Sequence, residues 1–219
     1  MKVNLYLLHV CLILILVGFL IQPVRSQSLF FGDQKTGLEI GINIGPSFFL
    51  GDLGGNRGKG TRFVKDVNLG LTKLAKGLYA TYYPKEWIGV RVAAQFSKLE
   101  GQDEMIASKG WDELFRKQRN LDFRTNLFEA YIGAEVFPLQ LILNSNGDYN
   151  PRLMPYGVIG VGMYKYNPQG SLTDANGKKT WYYLRPLKLE GQGMDEYPDR
   201  KEYSLTQVNI PLGAGAKYW

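Results

Sequence analysis

The chain has one cysteine, Cys11, and one histidine, His9. Both lie in the first 26 residues, which read as a removable export signal. Met1-Lys2 is a basic start, Leu5 to Ile21 is apolar, and Val24-Arg25-Ser26 before Gln27 fits a small-residue cleavage site. The apolar run is a little short of a membrane span, and apolar sequence continues past Cys11, which argues against a lipid anchor there. Cleavage after Ser26 leaves residues 27–219 with neither cysteine nor histidine. Disulfides, thiolate nucleophiles, imidazole bases and His/Cys metal sites are then excluded, and no cofactor is expected. A block of like charge is also missing. Losing Lys2 and Arg25 lowers the formal net charge from +6 to +4, and the remainder is dispersed. Nucleic acid is therefore not an expected partner.

What the chain does have is alternation. From Leu38 to Leu50, the residues Leu38, Ile40, Ile42, Ile44, Phe48 and Leu50 share one face, while Glu39, Gly41, Asn43, Gly45 and Ser47 share the other. Successive strand residues point to opposite sides, so this is a strand with an apolar wall and a polar or small wall. The same reading predicts strands at Lys76–Tyr83, Trp87–Ser97, Phe123–Phe137, Met154–Tyr166 and Ser204–Tyr218. In the third, Ile88, Val90, Val92, Ala94 and Phe96 oppose Gly89, Arg91, Ala93 and Gln95. In the fourth, Phe128, Ala130, Ile132, Ala134 and Val136 oppose Leu127, Glu129, Tyr131, Gly133 and Glu135. In the sixth, Val208, Ile210, Leu212, Ala214, Ala216 and Tyr218 oppose Gln207, Asn209, Gly213, Gly215 and Lys217. The fifth is glycine-rich and its faces cannot be assigned from the pattern.

The connections alternate in length. Residues 51–75, 98–120 and 167–203 are long, whereas Pro84-Lys85-Glu86 is a tight turn and 144–151 is fairly short, with Asn146-Gly147 as a hairpin signal. Trp111 to Arg119 is a candidate short helix. Leu139 to Leu143 either lengthens the fourth strand or lies at a membrane surface. Short turns on one side and long loops on the other mark an all-β, antiparallel up-and-down transmembrane β-barrel of the outer membrane. With the mature N-terminus in the periplasm, the long loops lie outside. A soluble lipocalin-like barrel is the alternative, with the apolar face packed inward.

Six strands are fewer than the eight of the smallest usual barrel, and two unpaired edges in lipid are costly. Trp219 is in phase with Lys217 rather than with the apolar Tyr218 face. The expectation is a truncated chain lacking a C-terminal hairpin, eight-stranded when complete.

The stretches EIGINIGPSFFLGDLGG (39–55), LTKLAKGLYATYYP (71–84), RNLDFRTNLFEAYIGAE (119–135) and GQGMDEYPDRKEYSLTQVNIPLGAG (191–215) occur in one order across most of the mature chain. In that order they resemble the PorG-like outer-membrane β-barrel proteins of Bacteroidota, most of whose members have no assigned activity. The resemblance implies an outer-membrane location and kinship with an accessory barrel of type IX secretion. It also implies two further strands after a segment like AKYW. It carries over no functional residue.

Several local motifs read as structure rather than chemistry. Gly54 to Thr61 lacks the spacing of a phosphate-binding loop, since Gly60 separates Lys59 from Thr61. Asn144 to Asp148 lacks the longer acidic series of a calcium loop. Glu39, Asn43, Arg91, Gln95, Glu129, Glu135 and Lys217 lie on the polar walls. They are candidates for a lumen network in which carboxylates pair with Arg91 and Lys217. Carboxylates alone supply no motif for acid–base catalysis, and the chain does not read as an enzyme. Tyr82, Tyr83, Trp87, Phe137, Tyr218 and Trp219 stand near the short turns as candidates for an interfacial aromatic girdle.

Residues Asp195 to Lys201 form a charged stretch in the longest loop. It is a solvated loop or part of a contact surface. An eight-stranded barrel is just filled by side chains, which disfavours an open pore. The leading expectation is a non-enzymatic scaffold or accessory subunit of an envelope or secretion complex. Its expected partners are outer-membrane lipid and other envelope proteins. The alternative is a small-ligand binding or transport barrel that uses its outer mouth.

Overall fold

The computed structural model describes residues 29–33, 36–51, 53, 69–106, 111–143 and 152–218. The segment 1–26, the loop 54–68, the turn around Asn146 and Trp219 lie outside the described residues. The chain forms a single antiparallel sheet in which β1 (Leu29–Asp33), β2 (Thr36–Ser47), β3 (Lys73–Lys85), β4 (Ile88–Gln102), β5 (Asp122–Val136) and β6 (Leu153–Tyr166) pair in chain order. A hairpin, β7 (Gln169–Thr173) and β8 (Lys179–Tyr183), extends from β5. Then β9 (Thr206–Asn209) and β10 (Leu212–Tyr218) both pair with β6.

The last two segments are one strand. The offset that sets Gly162 against Asn209 also sets Ile159 against Leu212. Only Ile210 and Pro211 lie between them, and Pro211 causes the break. It has no N–H to donate, but its carbonyl still accepts from Gly160 N at 3.1 Å. Counted this way the sheet has nine strands among the described residues, not the six expected: β1, β7 and β8 are the additional ones. Its main path is an up-and-down meander, and no described ladder joins β1 or β2 to β10.

The polar wall is the concave one. Five ladder steps separate β2 from β10, roughly 24 Å across a flat sheet at the usual strand spacing. Yet Lys217 Nζ on β10 lies 2.5 Å from Glu39 Oε2 on β2. The sheet therefore rolls until the polar side chains of its outer strands meet. The apolar residues face away, with Ile44 71% exposed and Leu212 74% exposed. On the glycine-rich β6, Leu153, Ile159, Val161 and Met163 point outward, and Met154, Gly162 and Tyr164 belong to the inner wall.

Three local expectations need revision. The turn between β3 and β4 is Glu86-Trp87 rather than 84–86. β3 runs on through Pro84 to Lys85, with a bulge between Tyr82 and Lys85. Leu139 to Leu143 does not lengthen the preceding strand but belongs to a short helix, Pro138–Leu143. There Leu139, Leu141, Ile142 and Leu143 are exposed, while Gln140 is buried and donates to Glu86 Oε2 at 2.6 Å. The 167–203 connection contains the β7–β8 hairpin. The helix expected at Trp111 to Arg119 forms over those residues. Its end is tied down by Arg119, whose guanidinium donates to both carboxylate oxygens of the buried Asp103 at 2.8 and 3.2 Å. No helix among the described residues is long and apolar enough to cross a membrane, which says nothing of strands.

Candidate functional site: the polar interior

Alternation dictates that Glu39, Arg91, Glu135 and Lys217 share one wall, and curvature brings them together near the short-turn end. Lys217 Nζ lies 2.5 Å from Glu39 Oε2 and 2.7 Å from Glu135 Oε1. Arg91 Nη2 lies 2.5 Å from Glu135 Oε2. Two cations thus meet two carboxylates. Glu39 is 3% exposed and Glu135 is fully buried, and burial of charge is tolerated only with such pairing.

Tyrosines complete the cluster. Tyr79 Oη donates to Glu39 Oε1 at 2.6 Å. Tyr83 Oη sits 2.9 Å from Glu39 Oε2 and 2.7 Å from Glu135 Oε1, so its single proton bridges the two acids, and Lys217 donates to its oxygen. The Arg91 guanidinium lies over the Tyr79 ring at 4.5 Å and is held by the buried Thr81 hydroxyl at 3.2 Å. Beneath lies a small apolar floor of Tyr83, Phe137 and Met154, with Tyr156 packed on it.

A second group crosses the middle of the interior. Asn43 Nδ2 donates to Gln95 Oε1 at 3.0 Å, and both Gln95 Nε2 and Asn209 Nδ2 donate to Glu129. The row is built over two glycines. A β-carbon at Gly77 would meet Asn43 Oδ1 at 2.6 Å and Gln95 Cβ at 2.7 Å. One at Gly162 would meet Asn209 Oδ1 at 2.7 Å. Without those side chains, residues of flanking strands reach across β3 and β6. No cation pairs with Glu129 among the described residues.

All seven polar residues anticipated from the sequence are therefore on the interior wall, divided between two clusters: Glu39, Arg91, Glu135 and Lys217 in one, and Asn43, Gln95, Glu129 in the other. The sequence reading missed Tyr79, Tyr83, Thr81 and Asn209 as members, although alternation alone places each on the polar side. The girdle divides. Tyr82 and Tyr218 are exposed on the outer face. Tyr83 and Phe137 are corrections, being 3% and 2% exposed and inside. Both are one residue out of phase with the apolar face, Tyr83 beside Tyr82 and Phe137 beside Val136. Trp87 is half-buried in the turn under Lys85. Trp219 lies outside the described residues.

Among the described residues the interior carboxylates Glu39, Glu129 and Glu135 are engaged by hydrogen-bond donors or cations, so the arrangement braces the walls. Among the described residues no three His, Cys, Asp or Glu side chains converge as metal ligands.

A different setting occurs at the long-connection end. A cavity of about 430 Å³ is lined by Lys98, Arg124, Thr125, Asn126, Asn167, Gln169 and Tyr183. Lys98 and Asn126 are register partners on the outer face, two residues beyond Phe96 and Phe128, whose rings are 4.7 Å apart and tilted by 46°. The β7–β8 hairpin forms its upper rim. Asp122 fastens that hairpin by accepting from Ser171 N at 2.9 Å and Ser171 Oγ at 2.7 Å, and by pairing with Lys179. Asp122 lies beyond the apolar part of β5. Partial burial raises its carboxyl, but the Lys179 and Ser171 interactions outweigh this and hold it below the usual range. No family model, curated protein or solved structure matches the chain.

Proposed function

We infer that this chain is an integral outer-membrane β-barrel without enzymatic activity, acting as a scaffold or accessory subunit of an envelope or secretion complex. The observation that carries the reading is the inverted distribution of polarity. Ile42, Ile44, Leu78, Val92, Phe96, Ile132, Ile159, Val161, Ile210 and Leu212 are exposed on the convex face, while Glu39, Glu129 and Glu135 are buried on the concave one. In water each exposed aliphatic side chain forgoes on the order of 1.5–3 kcal/mol of burial. A hydrocarbon surround removes that cost, and strands that alternate between an outward apolar face and a polar interior are the pattern of outer-membrane barrels. The opposite arrangement, apolar inside, is what a lipocalin-like barrel needs.

The scaffold part of the reading rests on the interior. Charged and aromatic side chains from β2, β3, β4, β5 and β10 cross-link near the short-turn end, which favours a braced structure over an open channel. The contact surfaces then lie in the connections, including the charged stretch Asp195 to Lys201, all of it exposed. The test is affinity capture of the full-length protein from its own membranes, with a heat-modifiability gel on the eluate. The expected result is a heat-shifted band with a stoichiometric envelope protein. A heat-shifted band alone would remove the accessory role. A soluble protein with no heat shift would remove the barrel.

A further inference from the structure

We propose that the cavity bounded by Lys98, Arg124, Asn126, Asn167 and Tyr183 is a binding site for the phosphate-bearing headgroup of a membrane lipid, with the acyl chains lying on the apolar face below it. The proposal rests on the membrane-barrel reading and names a ligand for one place on its surface.

Position is the first argument. β4 and β5 keep unbroken register from Ile88/Val136 to Gln102/Asp122, so side-chain direction can be followed residue by residue. Val92, Ala94 and Phe96 on β4 and Ile132, Ala130 and Phe128 on β5 make a continuous apolar face. The next outward pair is Lys98 and Asn126, and the next is Glu100 and Arg124. The change from hydrocarbon to charge thus takes two residues, about 7 Å of strand. That is the geometry of a lipid whose headgroup sits directly above its chains. A soluble anion would have no use for the apolar half of the surface.

Charge is the second argument. Lys98, Arg124 and Lys165 stand at this boundary, and Lys76 is the register partner of Phe96 on the other side. The outward rows hold two acids, both already paired: Glu100 is shared by Lys98 at 2.6 Å and Lys73 at 2.7 Å, and Asp122, in the next row, pairs with Lys179. The carboxyl of Glu100 is held below its usual range: burial raises it, but those two lysines outweigh the effect. Among the described residues Arg124 meets no carboxylate. Its Nε donates to the neutral Gln169 Oε1 at 2.8 Å, and its plane lies over the Trp181 ring at 4.2 Å. That pose fixes the guanidinium while its other nitrogens stay available, the pre-organisation that favours phosphate recognition.

The lining itself is the third argument. Asn167 Oδ1 is buried without a hydrogen-bond partner, although Asn167 N is held by Thr125 Oγ1 at 3.0 Å. Thr125, Asn126, Asn167 and Gln169 make the rest of the lining polar, which suits a headgroup rather than hydrocarbon. Tyr183 sits on the hairpin rim with half its surface exposed, as an aromatic at a half-wet boundary does.

The test uses full-length protein in detergent micelles and native mass spectrometry. Phosphatidic acid is compared with diacylglycerol of the same chains, which lacks the phosphate, and inorganic phosphate is added as a soluble competitor. The expected result is at least about tenfold better retention of phosphatidic acid. The double variant Lys98→Gln/Arg124→Gln should lose most of that preference, since each basic residue near a membrane surface contributes about as much as a severalfold change in affinity. Asn126→Leu, which narrows the cavity without removing charge, should weaken it as well.

Equal retention of the two lipids overturns the site, as does a double variant that binds like the wild type. Displacement by millimolar inorganic phosphate would make the ligand a free anion and overturn the lipid assignment. A heat-modifiability gel on the same samples separates the two levels. A retained heat shift without lipid discrimination overturns only the site, whereas absence of a heat shift overturns the barrel on which it rests.

Discussion

The molecule holds two groups of basic residues that are wired in opposite ways. Arg91 and Lys217 lie inside, each against a buried carboxylate and over tyrosine rings. Lys98, Arg124 and Lys165 lie outside, at the upper margin of the apolar face, near Glu100, which Lys98 shares with Lys73, and Asp122, which Lys179 holds. Desolvation explains the difference in role. An interior charge without its partner costs several kcal/mol, so these residues are committed to each other. A boundary charge stays partly hydrated, so a surface pair such as Lys98 with Glu100 is weak enough for a ligand to compete with.

Removing an interior acid is the severest way to break this contrast. Glu135→Ala should destabilise the folded protein by about 3–5 kcal/mol, because Arg91 and Lys217 lose a shared carboxylate. Urea titration in detergent, followed by loss of the heat-modified band, would read it. A loss below 1 kcal/mol would mean that the interior is wetter than its burial indicates. Glu129→Ala should cost less, about 1.5–3 kcal/mol, since its partners are amides rather than cations. Gly77→Val attacks the same row from the backbone and should cost about 1–3 kcal/mol, since its β-carbon would meet the Ala94 carbonyl oxygen as well as Asn43 and Gln95. Asn43→Ala should restore only part of that loss, because the backbone clash with Ala94 remains.

The outer residues should behave differently. Lys98→Gln with Arg124→Gln should change stability by no more than about 1 kcal/mol, even as lipid retention falls. A stability loss as large as that of Glu135→Ala would erase the distinction between the two groups. The smallest effect concerns pH. The Asp122 carboxyl is held below its ordinary value of 3.8, so its stabilisation of the β7–β8 hairpin is fully present above that value. It is lost as pH falls through the lower folded value. Amide exchange at Ser171 should therefore quicken only below about pH 4, and Asp122→Asn should show quick exchange already at pH 7.

Much of this arrangement is legible in the sequence because a strand has a period of two. Phe123 to Phe137 predicts β5 to within one residue at each end. Ser204 to Tyr218 predicts one strand where Pro211 divides the hydrogen-bonding pattern but leaves the register intact. The same period contains the places of Tyr83 and Phe137; grouping them by nearness to the turns overlooked their phase. β1 was not legible, since Leu29-Phe30-Phe31 shows no alternation and its pairing with β2 is a property of the hairpin. The β7–β8 hairpin hides in a polar loop because its strands are five residues long and bury little. Its one signal is Asn176-Gly177, where Gly177 takes a φ of 78° that suits glycine. Leu139 to Leu143 is apolar except for Gln140, and so short a run distinguishes neither helix from strand.

The sequence by itself determined which residues share a wall, since side-chain direction along a strand is a local matter of backbone geometry. It also determined that one wall is apolar and the other carries the charge. Only the tertiary structure decided that the charged wall is concave, that Lys217 meets Glu39 across the rolled sheet, and that Lys98 and Arg124 frame a cavity above the Phe96–Phe128 pair. Those results depend on curvature and on contacts between strands far apart in the chain, and no local periodicity encodes them.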